Sequence, residues 1–139
     1  MKLIPRFSLR TLLLAESHAK QLTAFDISSD GSLSNRCSWA ELKGPPDGIC
    51  LDAEGAIWYA DVPNKQCVRV REGGEILLTV EVDRGCFSCA LGGPDRRTLF
   101  IVATEWRGMD KIAEVTAART SQVLTFTAPV PAVDRGARP

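Results

Sequence analysis

The stretch GAIWYADV, residues 55–62, has a design that recurs twice elsewhere in the chain. Each copy follows a turn signal, continues through a short apolar run, passes an alanine and ends near an acid. The two related stretches are RTLLLAES at 10–17 and RTLFIVATE at 97–105. Their acids are spaced by 45 and 44 residues and are Glu16, Asp61 and Glu105. The chain therefore contains three copies of one unit.

Each unit predicts several short strands. A second strand-like run follows each first run, and these runs are LTAFDI at 22–27, CVRVRE at 67–72 and QVLTFTA at 122–128. The third copy has an insertion, residues 108–121, before its second run. Short strands with Gly/Asp turns indicate an all-β protein. A period of about 40–50 residues is typical of a β-propeller with one blade per repeat.

Three units predict a partial β-propeller. Propellers close with about 4–8 blades, so three blades leave the first and last blades with open faces. We therefore expect about three blades of a six-bladed ring, completed by another copy or belonging to a longer parent. The expected half-propeller covers 10–128, after a non-matching lead at 1–9. The proline-rich tail at 129–139 is expected to be disordered.

Bulk composition argues against several partners and locations. The 139 residues carry 17 Lys+Arg and 17 Asp+Glu, so no basic field favours nucleic acid or an anionic membrane. The apolar run at 12–15 is shorter than the roughly 7–15 residues of a signal-peptide core, which predicts a cytoplasmic protein. Five cysteines, an odd number, favour free thiols over a disulfide framework.

The segment PPDGICLDAEGAIWYAD, residues 45–61, contains the main site candidate. Asp47 follows two prolines and precedes a glycine, so we expect it on a stiff turn just before the buried strand at 57–60. Such an aspartate is either a turn former or a ligand at the mouth of the fold.

Other polar residues accompany the repeated strands. If those strands are innermost, Glu16, Asp61 and Glu105 ring the channel mouth, with Ser17 and His18 beside the first. The competing interpretation is solvated acids at strand ends. A lone histidine cannot form a His-rich metal site.

The sequence Cys86-Phe-Ser-Cys89 raises a thiol-redox alternative. Redox pairs of this spacing open a helix in a βαβ unit, whereas this one lies between strand-like segments. Small buried residues on an inner strand are the favoured interpretation, and no second cysteine pair is present to complete a zinc site.

Two stretches together resemble the gluconolactonase/regucalcin/luciferin-regenerating-enzyme family, in its C-terminal half. They are PDGICLDAEGAIWYADVPNKQCVRV at 46–70 and CFSCALGGPDRRTLFIVAT at 86–104, and RTLLLAESHAKQLTAFDISSDGSLSNR at 10–36 resembles the preceding blade. The resemblance implies a six-bladed propeller with one divalent cation, calcium or zinc, at the channel mouth. It also implies hydrolysis of sugar lactones and related cyclic esters.

The resemblance assigns one metal ligand in this chain. The family holds its metal with a Glu from the first blade, the Asn of an Asn-Gly turn, and the Asp of Pro-Asp-Gly, which corresponds to Asp47. The first two have no counterpart in this sequence. We therefore expect an impaired metal-dependent lactonase with Asp47 as catalytic and metal-binding residue. The alternative is a non-catalytic half-propeller that acts as an interaction module.

A homodimer follows as a geometric expectation. Two copies would close a six-bladed ring about a two-fold axis, because head-to-tail contacts close when the rotation is half a turn. Asp47 of each copy would then face its twin across the channel.

Overall fold

The computed structural model describes residues 10–134, which form ten strands and one short α-helix. The strands are β1 Thr11–Glu16, β2 Gln21–Ile27, β3 Leu33–Glu41, β4 Pro46–Leu51, β5 Ile57–Asp61, β6 Gln66–Val70, β7 Ile76–Glu81, β8 Gly85–Gly92, β9 Thr98–Thr104 and β10 Gln122–Thr127. The insertion before β10 forms a 3-10 helix, Met109–Lys111, followed by α1, Ile112–Ala118. None of the helices within residues 10–134 combines the length and apolar character needed to cross a membrane.

The strands form three antiparallel sheets that follow chain order. The first contains β1-β2-β3, the middle β4-β5-β6-β7 and the last β8-β9-β10. Each sheet is a meander in which consecutive strands pair, as expected for a propeller blade. The all-β class and the three blades predicted from the repeat are confirmed.

The core lies in two layers, one on each face of the middle blade. Successive side chains of a strand point to opposite faces, so β5 serves both layers. Ile57 and Tyr59 pack towards the first blade, whereas Trp58 and Ala60 pack towards the third. All five residues of β5 are buried, which explains why its sequence is an almost unbroken apolar run and does not alternate.

The blades converge at their first strands. β4 and β8 are edge strands of neighbouring sheets and lie against each other, and β1 contacts β4. The inner edge of the fold is therefore formed by β4 and β8. The repeated strands β5 and β9 are each flanked by a strand on both sides, so the premise that they are innermost is wrong.

The segment around Asp47 also differs from expectation. Pro46–Leu51 is a strand in its own right and not a turn before the buried strand. Its pairing with β5 is irregular between Pro46 and Ile49, where Asp47 and Gly48 form a bulge. A bulge tolerates the proline because local ladder hydrogen bonds are interrupted there.

The start of the proline-rich tail is held in place, unlike the disordered tail expected from composition. Ala132 forms an isolated bridge with Asp52, and its N–H donates to the carbonyl of Arg96 at 2.8 Å. The N–H of Ala53 donates to the carbonyl of Pro131 at 2.8 Å. The extended backbone favoured by proline thus supplies hydrogen-bonding groups to the turns of two blades. Residues 135–139, like the lead at 1–9, lie outside the described residues.

A buried ion pair fixes the turn between β4 and β5. One carboxylate oxygen of Asp52 accepts the backbone N–H groups of Glu54 and Ala56 at 2.9 and 3.0 Å. The other accepts Nε of Arg69 at 2.7 Å, and the same guanidinium donates to Glu54 at 2.9 Å. Asp52 and Arg69 are both buried, so each neutralises a charge that water cannot reach.

Replacing Asp52 by Ala is expected to lower the free energy of unfolding by about 3–5 kcal/mol, because the buried Nε of Arg69 would lose its carboxylate partner and only the exposed Glu54 would remain paired with the guanidinium. Urea unfolding followed by tryptophan fluorescence measures the change. The matched control is Arg71→Ala, which removes the exposed pair with Glu75 and should cost less than about 1 kcal/mol. Equal losses in the two variants would contradict the structural role assigned to Asp52.

Candidate functional site

The sequence-predicted polar residues gather at one end of the three sheets. In the antiparallel register Glu16 ends β1, Pro46 pairs with Asp61 where β4 begins and β5 ends, and Gly85 pairs with Thr104. The Cβ position of Gly85 lies 3.1 Å from Val62, so the second and third blades share this end. We call it the Asp47 end.

Asp47 is presented by the bulge of β4 at the inner edge. Gly48, which follows it, approaches β8 so closely that a Cβ added to it would lie 2.7 Å from both Cα and Oγ of Ser88. Any larger residue would push the two inner strands apart. The glycine of Pro-Asp-Gly is thus needed for close approach of β4 and β8.

The Asp47 carboxylate has an unusual environment among the acids of this end. Its side chain is exposed, and residues 10–134 provide it with no hydrogen bond or ion pair. Neighbouring protein atoms nevertheless remove part of the water around the carboxylate, and this desolvation raises the pKa of Asp47 above its ordinary value because it penalises the charged form. The group is therefore a solvent-accessible carboxylate of increased basicity.

Ser17 connects the first blade to this position. Its hydroxyl donates to the carbonyl oxygen of Pro46 at 2.6 Å, directly before Asp47. His18 follows in the same turn and is exposed. The structure thus brings Ser17 next to the Asp47 backbone and leaves His18 at the surface.

Asp61 does not belong to an exposed rim. Its side chain is fully buried, and its oxygens accept the Asn64 side-chain amide at 2.8 and 3.0 Å and that of Gln66 at 3.2 Å. The backbone N–H of Asn64 also donates to it at 3.2 Å. Asp61 therefore organises the β5–β6 turn, and its carboxylate is not exposed to solvent.

The other two strand-end acids are engaged with neighbouring side chains. Glu16 accepts the hydroxyl of Thr23 at 2.7 Å and the guanidinium of Arg36 at 2.8 Å, and these contacts lower its pKa. Glu105 is exposed and lies 3.4 Å from Arg107. Both lie at the Asp47 end, but their partners leave them less available than Asp47.

Cys86 and Cys89 occupy buried positions of strand β8 and do not lie at a helix start. Burial, with a contribution from nearby Asp61, raises the pKa of Cys86 to about 11, which disfavours the reactive thiolate. The Cys89 thiol lies 3.6 Å from the carbonyls of Gly48 and Trp58 and 3.8 Å from Cys50 Sγ. These contacts favour the interior-packing interpretation over redox chemistry.

The described residues do not form a complete metal site. Residues 10–134 contain no cluster of three or more His, Cys, Asp or Glu side chains that could hold a metal ion. Calcium takes 6–8 oxygen ligands, and Asp47 offers two oxygens at most. The side chains of residues 10–134 therefore do not fit a bound calcium or zinc ion by themselves.

Two features near Asp47 were missed or undervalued in the sequence. Ser88 lies against Gly48 across the inner edge, and only a repeat alignment of β4 with β8 could have suggested it. Phe87 and Trp106 form an edge-to-face pair with ring centroids 5.5 Å apart and an interplanar angle of 74°. Phe87 lies at the irregularity between Cys86 and Ser88, so β8 has a bulge comparable with that of β4.

The chain matches one family model and several curated proteins. The model described as SMP-30/Gluconolactonase/LRE-like region matches residues 8–105. Regucalcin of Xenopus laevis is 33% identical over 109 residues, which are 73% of this chain and 36% of that protein. Regucalcin of Danio rerio is 33% identical over 123 residues, 84% of this chain and 41% of that protein. The chain thus spans well under two thirds of the length of these relatives.

Solved structures show the same fold. A luciferin-regenerating enzyme superposes with a TM-score of 0.74 at 22% identity, over 89% of this chain and 43% of that protein. A calcium-binding protein, regucalcin, from Agrobacterium tumefaciens superposes with a TM-score of 0.64 at 21% identity, over 91% of this chain and 46% of that protein. A gluconolactonase from Xanthomonas campestris superposes with a TM-score of 0.58 at 25% identity, over 68% of this chain and 31% of that protein.

The pKa shift of Asp47 predicts a pH-dependent stability. A raised folded-state pKa means that folding favours the neutral carboxyl group. The contribution of Asp47 to the stability of the fold is therefore fully present below the unfolded-state pKa and is lost as pH rises through the folded-state pKa. Asp47→Asn should therefore be more stable than the wild type near neutral pH, and the difference should vanish in acid. Urea unfolding across pH measures it.

Asp30→Asn is the control, because its expected effect on stability near neutral pH has the opposite sign. Hydrogen bonds from the Ser32 side chain and backbone lower the pKa of Asp30. Its contribution is present above the unfolded pKa and lost as pH falls through the folded value, so this variant should be less stable near neutrality. The same sign in both variants would contradict the assigned environments.

Proposed function

The chain belongs to the SMP-30/gluconolactonase/LRE-like family, and we propose that it acts in the hydrolysis of a sugar lactone or related cyclic ester through Asp47. The family resemblance noted in the sequence is confirmed by the matched family model.

The observation that supports a catalytic role for Asp47 is that its carboxylate lacks the side-chain partners that two other aspartates of the middle blade have. Asp52 is neutralised by Arg69, and Asp61 is enclosed by Asn64 and Gln66. Asp47 alone among these three is exposed and without a side-chain partner in the described chain. A carboxylate kept unpaired at a stiff inner edge is suited to reacting with a ligand.

The chemistry assigned to Asp47 is general base catalysis. Water would attack the lactone carbonyl carbon while the carboxylate accepts a proton from that water. The ring C–O bond then breaks, and the carboxylic acid returns the proton to the departing alkoxide, so an open hydroxy acid forms. A raised pKa favours this role because a stronger base accepts the proton more readily.

A divalent cation, calcium or zinc, could bind at Asp47 only if a second chain supplied further ligands. One solved relative is described as a calcium-binding protein, which makes a divalent ion a reasonable component. Asp47 would be one of its ligands, but no other cluster in residues 10–134 completes the set. Metal binding by the isolated chain should accordingly be weak. The proposal retains the cytoplasmic location expected from the sequence.

A non-catalytic interaction module is the second candidate. The observation that favours it is the exposure of apolar side chains on the outer faces of the first and third blades. Exposed apolar patches indicate contact with another protein surface. This candidate requires no reaction at Asp47.

Asp47→Asn is expected to lower kcat/KM for lactone hydrolysis by about 100-fold or more, the usual contribution of a general base. Release of acid from D-glucono-1,5-lactone and related sugar lactones, followed at constant pH with and without calcium, measures this. Asp95→Asn is the matched control, because Asp95 is exposed in the turn between β8 and β9, at the end of the sheets opposite Asp47. Enzymatic hydrolysis that persists unchanged in Asp47→Asn would contradict the proposal, and a wild-type chain with no rate above background would favour the interaction module.

A further inference from the structure

The two terminal blades expose apolar side chains on their outer faces. In the first blade Leu12 and Leu14 are exposed, the latter to 45%. In the third blade the exposed residues are Phe100, Val102 and Val123, and Val102 is exposed to 44%. We call the first set the leading face and the second set the trailing face.

The internal repeat shows what these positions do when a neighbouring blade is present. With the spacing of 45, Leu12 and Leu14 correspond to Ile57 and Tyr59, which are buried against the first blade. With the spacing of 44, Val102 corresponds to Trp58, which is fully buried against the third blade. The exposed residues therefore occupy blade-to-blade contact positions.

The composition of the third blade supports the same conclusion. The strands β8, β9 and β10 contain no Asp, Glu, Lys or Arg, although one face of this sheet is open in the described chain. A sheet face adapted to water normally alternates apolar and polar or charged residues. On the trailing face Val102 is paired with Val123, so two exposed valines lie directly side by side.

The leading and trailing faces are complementary in kind. Each contact between neighbouring blades joins the trailing side of one blade to the leading side of the next. At the first contact, for example, Leu13 of the first blade packs against the cluster that contains Ile57 and Tyr59 of the middle blade. Within residues 10–134 one face of each kind is left uncovered. Contact of a trailing face with the leading face of another copy would continue the stacking that already joins the blades.

We propose that a second copy of this chain covers both terminal faces head to tail, closing a two-fold ring of six blades. Two head-to-tail contacts close a ring when each copy spans half a turn. Each copy covers 43% of a luciferin-regenerating enzyme and 46% of a regucalcin structure, so two copies supply nearly one such protein.

This inference extends the proposed function, because the partner would bring a second Asp47 to the same end of the ring. Each copy presents Asp47 at the inner edge formed by β4 and β8, so the two inner edges would enclose one channel. The ring would thus contain two unpaired carboxylates of equal environment. Each chain would supply one of the two.

The first experiment is light scattering behind a sizing column on the whole chain. We expect a mass of about twice the 15.1 kDa chain at micromolar concentration. Leu14→Lys and Val102→Asp should each reduce the mass to that of one chain. The control Ile76→Asp alters a residue of similar exposure, 38%, on the outer strand of the middle blade and should leave the dimer intact. Far-ultraviolet circular dichroism checks that all variants are folded.

The decisive experiment mixes the Leu14→Lys and Val102→Asp variants. In a head-to-tail dimer of Leu14→Lys with Val102→Asp, one contact pairs the introduced Lys with the introduced Asp, and the other contact is wild type. The mixture should therefore recover the dimer mass, whereas either variant alone should not. A contact between two identical faces would give no recovery in the mixture.

Three outcomes would overturn the inference: a wild-type monomer, an open series of larger assemblies, or failure of the mixed variants to recover the dimer. None of these readouts depends on catalysis. A dimer without lactone hydrolysis would refute the proposed function alone, and an active monomer would refute the ring alone.

Discussion

Burial of the middle blade on both faces is the constraint on which the described fold depends. Because β5 is enclosed on two sides, Trp58 and Ala60 stabilise one neighbour while Ile57 and Tyr59 stabilise the other. Neither flanking blade would otherwise cover its apolar face. The same alternation of side chains leaves the first and third blades each with one uncovered face.

Much of this architecture is readable from the sequence, and the reason is the regularity of the repeat. The spacing of 45 and 44 residues fixes which positions are equivalent, so the three blades and their apolar runs follow from pattern alone. The order of strands within a blade does not follow from the same pattern. β5 is the most apolar strand and suggests an innermost position, but the inner edge is formed by β4, whose sequence is interrupted by Asp47 and Gly48.

The candidate site was predictable in identity but not in geometry. Pro-Asp-Gly identifies Asp47 through resemblance, while the function of the glycine became clear only from its approach to Ser88. The burial of Asp61 was not predicted, because a strand-end acid looks the same in sequence whether it faces water or accepts hydrogen bonds inside a turn. The anchored start of the tail was missed because backbone hydrogen bonds from Ala53 and Ala132 have no signature in composition.

The anchored tail has a consequence for the order of folding. Each blade is a meander whose strands pair with their immediate sequence neighbours, so its contacts can form early and locally. The bridge between Asp52 and Ala132 instead joins residues 80 positions apart and requires the second and third blades to be already in register. Residues 128–134 therefore connect the second and third blades at the end of the sheets opposite Asp47, and we expect this connection to form after the blades themselves.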